Sequence, residues 1–139
     1  MKIVVDANIL VSGFIVKVGK PAQILKNINK RFKIITTEEI LSETNRALHY
    51  SHIRKRYPIT DKEIKVYIEK LRKACVVVSP KIKVNIVKED PSDNKFLALA
   101  KETKANYVIS GDPHLTKLDR YKGIPVVTPA QFLDIISTN

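Results

Sequence analysis

Asp6, Glu43, Asp93 and Asp112 are four carboxylates that stand where the chain passes from one regular pattern to another. Asp6 ends the apolar run Lys2-Ile-Val-Val-Asp6, and Asp112 follows Tyr107-Val-Ile-Ser-Gly. Asp93 lies in Asp90-Pro-Ser-Asp93-Asn94-Lys-Phe-Leu at the head of a helical stripe, and Glu43 rides the margin of another. Oxygen-only donors of this kind suit a hard divalent cation, Mg²⁺ or Mn²⁺, rather than a soft-metal centre. Two such ions could activate water and steady both the attacking and the leaving oxygen of a phosphodiester.

Each acid also has a plainer structural reading. Asp6 fits an Asx-turn or helix cap after a strand, with Asn8 placed to donate to it or orient it. On a helix turning about 100° per residue, Ile40, Leu41, Thr44, Ala47 and Leu48 centre one apolar face. Glu38 and Glu39 point away from that face, whereas Glu43 falls at its edge, able to reach a cleft or to pair with Arg46 in solvent. Asp93 precedes Phe96, Leu97 and Ala100 by three, four and seven residues, which aligns it with a buried stripe. A carboxylate there is costly unless paired or metal-bound, although a place in the first turn of a helix would also suit it. Asp112 precedes Pro113 as a capping residue would. Ser110 and Gly111 form a tight turn able to present a hydroxyl and backbone to the same crevice.

The elements that must position these acids alternate between strand and helix. Ile3-Val-Val5 is β-branched and apolar throughout, as expected of a central strand covered on both faces. Pro21 starts a helix towards Arg31, and Phe32-Lys-Ile-Ile-Thr36 is a second strand. Thr36 or Thr37 caps the next helix, Thr36 and Glu39 having capping-box spacing. Ser51 to Pro58 reads as a basic, mobile connection. From Thr60 a helix places Ile64, Tyr67, Ile68 and Leu71 on one face. Val76–Val78, Val84–Val87, Tyr107–Ser110 and Val126–Val127 are strand-like, with a helix from Ser92 to Lys104 and another from Pro129 to Ile136. The pattern predicts one domain over residues 1–139, a three-layer α/β/α sandwich around a mainly parallel sheet.

The net charge of +11 favours an acidic partner, nucleic acid first, though lysine-rich faces also serve solubility. Basic clusters recur, and Arg54-Lys55-Arg56 is the candidate RNA-binding trio. The single cysteine, Cys75, lies in an apolar run and excludes an internal disulfide framework. Neither a signal peptide nor a membrane-spanning run is visible, so a cytoplasmic protein is expected. Carboxylates at strand ends within a basic chain imply a metal-dependent nuclease.

The blocks that carry these acids resemble the PIN-domain family of ribonucleases, particularly its VapC-like branch of toxin components of toxin–antitoxin pairs. Ile-Val-Val-Asp6-Ala-Asn8-Ile-Leu-Val-Ser is similar to the first family motif, and Thr37-Glu-Glu-Ile-Leu-Ser-Glu43 to the second. Asp90-Pro-Ser-Asp93-Asn94-Lys-Phe-Leu-Ala-Leu-Ala100 is similar to the third, and Val108-Ile-Ser-Gly-Asp112-Pro-His-Leu115 to the fourth. The likeness continues through Ile124-Pro-Val-Val-Thr-Pro-Ala-Gln-Phe132. The resemblance implies that Asp6, Glu43, Asp93 and Asp112 are the catalytic acids and the ligands of Mg²⁺ or Mn²⁺, with Asn8 and Ser110 supporting. It further implies cleavage of single-stranded RNA, a small antitoxin protein as partner, and a homodimer. If the apolar stripe on the helix from Thr60 to Lys73 exceeds what its own core can cover, the surplus would supply the dimer interface; the alternative is that the stripe packs wholly within one subunit. Asn94 departs from the pattern where relatives carry a further acid, which bears on a second metal.

Rival chemistries lack their signatures. A phosphoacceptor receiver would need an aspartate after Val76–Val78, where Ser79-Pro80 stands, and the four glycines make no nucleotide-binding fingerprint. A metal-free ribonuclease would draw on His49, His52 or His114. A non-catalytic RNA-binding or scaffold protein would keep the basic surface without needing the carboxylates.

Overall fold

In the computed structural model, which describes residues 1–80 and 94–138, a six-stranded sheet forms the middle layer, in the order β3-β2-β1-β4-β6-β5. The strands are β1 (Lys2–Val5), β2 (Lys33–Thr36), β3 (Val76–Val77), β4 (Tyr107–Ile109), β5 (Arg120–Tyr121) and β6 (Ile124–Val127). All neighbours pair in parallel except β5, which runs antiparallel to β6. Ile3, Val4 and Val5 are at most 1% exposed, so β1 is central and covered on both faces as its composition requires. Each such side chain contributes roughly 2 kcal/mol of apolar burial.

The helices are α1 (Ala7–Ile15), α2 (Lys20–Lys26), α3 (Glu38–Leu48), α4 (Ser51–Arg56), α5 (Asp61–Ala74), α6 (Asn94–Thr103), α7 (Pro113–Thr116) and α8 (Pro129–Ser137). They cover the sheet in the three-layer α/β/α arrangement that the alternation predicts. Thr60 and Thr128 open α5 and α8 with reciprocal capping boxes to Glu63 and Gln131. Lys122 and Gly123 both have positive φ, 52° and 83°, which gives the two-residue β5–β6 turn the twist its strands need.

Several boundaries differ from the sequence expectation. The helix at Pro21 ends at Lys26 rather than Arg31, because Asn27 closes it and Asn29 takes a positive φ of 66°. Thr37, not Thr36, caps α3 by accepting from the Ile40 amide, so no box forms between Thr36 and Glu39. Residues 51–56, read as a connection, form α4. The strand expected at Val84–Val87 lies outside the described residues.

The stripe on α5 is also used differently. Ile64, Ile68 and Leu71 are buried within the chain, and the Tyr67 hydroxyl donates to the Leu10 carbonyl oxygen at 2.6 Å. The surplus expected to form an interface is therefore largely covered by the protein's own core. No helix among the described residues is long and apolar enough to cross a membrane.

Candidate active site

The sheet order fixes where a ligand crevice can open. From β1 the chain builds outward through β2 and β3, whereas from β4 it builds the other way through β6 and β5. β1 and β4 are thus the adjacent strands at which the winding reverses, and their carboxyl ends frame the crevice. Asp6 is the first residue beyond β1 and Ser110 the first beyond β4. Their backbones are held by continuation of the ladder: the Asp6 amide donates to the Ile109 carbonyl at 3.2 Å, and the Ser110 amide to that of Val127 at 2.9 Å.

Across the crevice the Ser110 hydroxyl donates to Asp6 Oδ2 at 2.5 Å, while its oxygen accepts the Asp112 amide at 2.9 Å. The other Asp6 oxygen accepts the Ile9 amide at 2.9 Å and caps α1. Capping and site placement therefore hold together in one residue. Asp6 is 3% exposed, and burial is the main cause that pushes its carboxyl above the usual carboxylate range. Hydrogen bonds from Ser110 and from the Ile9 and Gly111 amides oppose the rise, and the negative charge of Asp112 adds to it.

Asp112 caps the short α7, as its place before Pro113 predicts, accepting from the His114 amide at 2.9 Å. His114 Nδ1 lies 3.2 Å from the same oxygen. Glu43 extends from α3 at the margin of the buried face. Its partner is not Arg46 but Lys95 on α6, whose ammonium is 2.9 Å from Oε1. That contact is one of charge: the buried Oε1 has no directed hydrogen-bond donor among the described residues.

The structure thus brings Asp6, Ser110 and Asp112 together and places Glu43 against Lys95. Asp93 lies outside the described residues. Among those that are described, no three His, Cys, Asp or Glu side chains converge as a metal-ligating group. Asn8 is exposed on the first turn of α1, and the described hydrogen bonds of Asp6 come from Ile9 and Ser110. Lys95 went unnoticed in the sequence.

Of the basic trio on α4, Arg54 is engaged within the protein, 2.7 Å from Asp61 and 3.2 Å from His49 Nδ1. Lys55 and Arg56 are exposed, Arg56 lying over the Tyr57 ring at 5.7 Å.

Residues 2–114 match the PIN domain family. The chain belongs to the PIN-domain family. Its fold is that of a PIN domain, and PIN domains are in general nucleases that use divalent metals and act on nucleic acids. This PIN domain is also similar to an uncharacterized protein of Methanocaldococcus jannaschii. The two are 30% identical over 144 aligned positions, spanning 96% of this chain and 90% of the relative.

Proposed function

We propose that this PIN domain is an endoribonuclease that hydrolyses single-stranded RNA with Mg²⁺ or Mn²⁺. In this reading Asp6, Glu43, Asp93 and Asp112 are the acids that hold the cation. The observation that carries it is the Asp6 carboxyl: buried at the switch point, bonded to Ser110, and raised by burial and by Asp112. A carboxylate in that position calls for compensating positive charge. The buried Glu43 Oε1, without a directed donor, is a second oxygen of the same kind. Both are hard donors and fit a hard divalent ion.

Such an ion, when bound, would activate water and stabilise charge on the scissile phosphate. The chain's own contribution is orientation. Ser110 fixes one Asp6 oxygen and the Ile9 amide the other, so the carboxylate cannot rotate away from the crevice. Exposed Lys55 and Arg56 would hold RNA phosphates, with Arg54 anchoring α4 to Asp61 beneath them.

The biological role in this reading is that of a toxin acting on cytoplasmic RNA, held in check by a small antitoxin and working as a homodimer. A seat for an acidic amphipathic partner segment is available. Phe14 and Tyr67 stack, their ring centroids 4.4 Å apart, at the floor of two adjoining hollows of about 410 and 430 Å³. Exposed Lys17, Lys26, Lys62 and Lys70 rim them.

The test is substrate class. Labelled single-stranded RNA, duplex RNA and single-stranded DNA of one sequence are incubated with Mn²⁺ and the wild type, D6N, E43Q, D93N or D112N. Cleavage of single-stranded RNA that is lost in all four variants supports the assignment. Equal cleavage of all three substrates, or full activity in any acid variant, contradicts it.

A further inference from the structure

We infer that Lys95 is a built-in competitor for the cation at Glu43: a positioning residue that holds this carboxylate while no metal is bound and yields it to an arriving divalent ion. The inference rests on the metal-ligand reading of Glu43 given above. Lys95 Nζ lies 2.9 Å from Glu43 Oε1 and 3.7 Å from Glu39 Oε1, so one ammonium bridges two acids of α3. The two principal side chains are largely enclosed, Lys95 being 21% and Glu43 29% exposed. The ammonium also lies 5.6 Å from the ring centroid of the buried Phe96.

Three physical features make this contact replaceable. The ammonium bridges two acids of α3, at 2.9 and 3.7 Å, so its position depends on the acids it meets. The ammonium approaches Oε1 off the direction of a hydrogen bond, so this buried oxygen has no directed donor among the described residues. Lysine is a compact charge on a flexible stem, able to swing clear without moving backbone, unlike the planar fork of arginine engaged at several points. An ammonium and a divalent ion on the same oxygen repel strongly at this separation, so one excludes the other. The arrangement makes Lys95 a threshold on metal affinity, because cation binding must first displace an internal one.

The experiment measures Mn²⁺ binding to the full chain by calorimetry, and by the resonance signal of free Mn²⁺, in wild type, K95Q, K95M, K95R and E43Q. Loss of the competing charge should tighten Mn²⁺ binding about tenfold in K95Q and K95M. K95R, which keeps the charge on a fork that is harder to displace, should bind Mn²⁺ no more tightly than wild type, and E43Q should weaken binding. Without metal, K95Q and K95M should melt below wild type, since Glu43 is left uncompensated, and saturating Mn²⁺ should close that gap. Unchanged or weaker Mn²⁺ binding in both neutral variants, with E43Q still weakened, would overturn the role of Lys95 while leaving the metal reading intact. Mn²⁺ binding indifferent to E43Q would instead overturn both, by a distinguishable signature.

Discussion

The Asp6 carboxyl is buried among β1, α1 and the turn after β4, and its hydrogen bonds only partly offset the loss of water. Its folded-state pKa lies above the ordinary value of 3.8, so the native state holds this proton more tightly than the unfolded chain does. In the absence of metal, stability should therefore fall as pH rises from about 3.8 through the folded-state pKa, and then level off. Asp6→Asn keeps a good capping residue and removes the charge. Metal-free D6N should be more stable than wild type at neutral pH, with that part of the slope abolished. It should also lose any stabilisation by Mn²⁺. Denaturant titrations between pH 3 and 8, in chelator and in Mn²⁺, check both points; a less stable D6N with an unchanged pH slope would contradict the assignment. Cys75 is the opposite case, a buried thiol with no chemistry to do. Burial pushes it up to about 12, so a thiol reagent at pH 8 should modify it only as fast as the chain opens. Modification as rapid as in the unfolded chain would show that the site is not closed.

At the scale of elements, α3 and α4 carry the sharpest tests. Thr37 is the α3 cap, and Thr37→Ala should cost about 1 kcal/mol in chemical denaturation. Thr36→Val should cost less, because the Thr36 hydroxyl is buried with no hydrogen-bond partner among the described residues. Replacing both Lys55 and Arg56 with Ala should weaken RNA binding across sequences and make the log–log salt slope shallower by about 1.4, the loss of two phosphate contacts. An unchanged slope would place the RNA elsewhere. β1, β2, β4 and most helices were legible because their periodicity or β-branched composition is unambiguous, as in Ile3–Val5 and the stripe on α3, whereas the two-residue β5 gave no such signal. α1 escaped notice for a physical reason: Ala-Asn-Ile-Leu-Val-Ser-Gly-Phe-Ile is apolar nearly all round and shows no amphipathic period. α4 escaped because Ser-His-Ile-Arg-Lys-Arg is short, polar and without a buried residue. Of the site, the strand-end position of Asp6 could be read directly, whereas the Ser110 bridge and the Lys95–Glu43 pair join residues 104 and 52 positions apart and need the fold.

For the molecule as a whole, the sheet order is what turns separate acids into a candidate site. Parallel strands wound outward in both directions from β1 and β4 set the carboxyl ends of these two strands side by side, and Asp6 and Asp112 stand there, joined through Ser110, in a protein of net charge +11. In the proposed reading a basic chain would draw RNA in and the acids would hold the cation, a division of labour under which activity should depend on both salt and metal. The most direct test of this account is single-stranded RNA cleavage by protein stripped of metal with excess chelator and then titrated with Mn²⁺. The account predicts no cleavage in chelator and recovery that saturates with Mn²⁺ in wild type but not in D6N. Undiminished cleavage in excess chelator would contradict it.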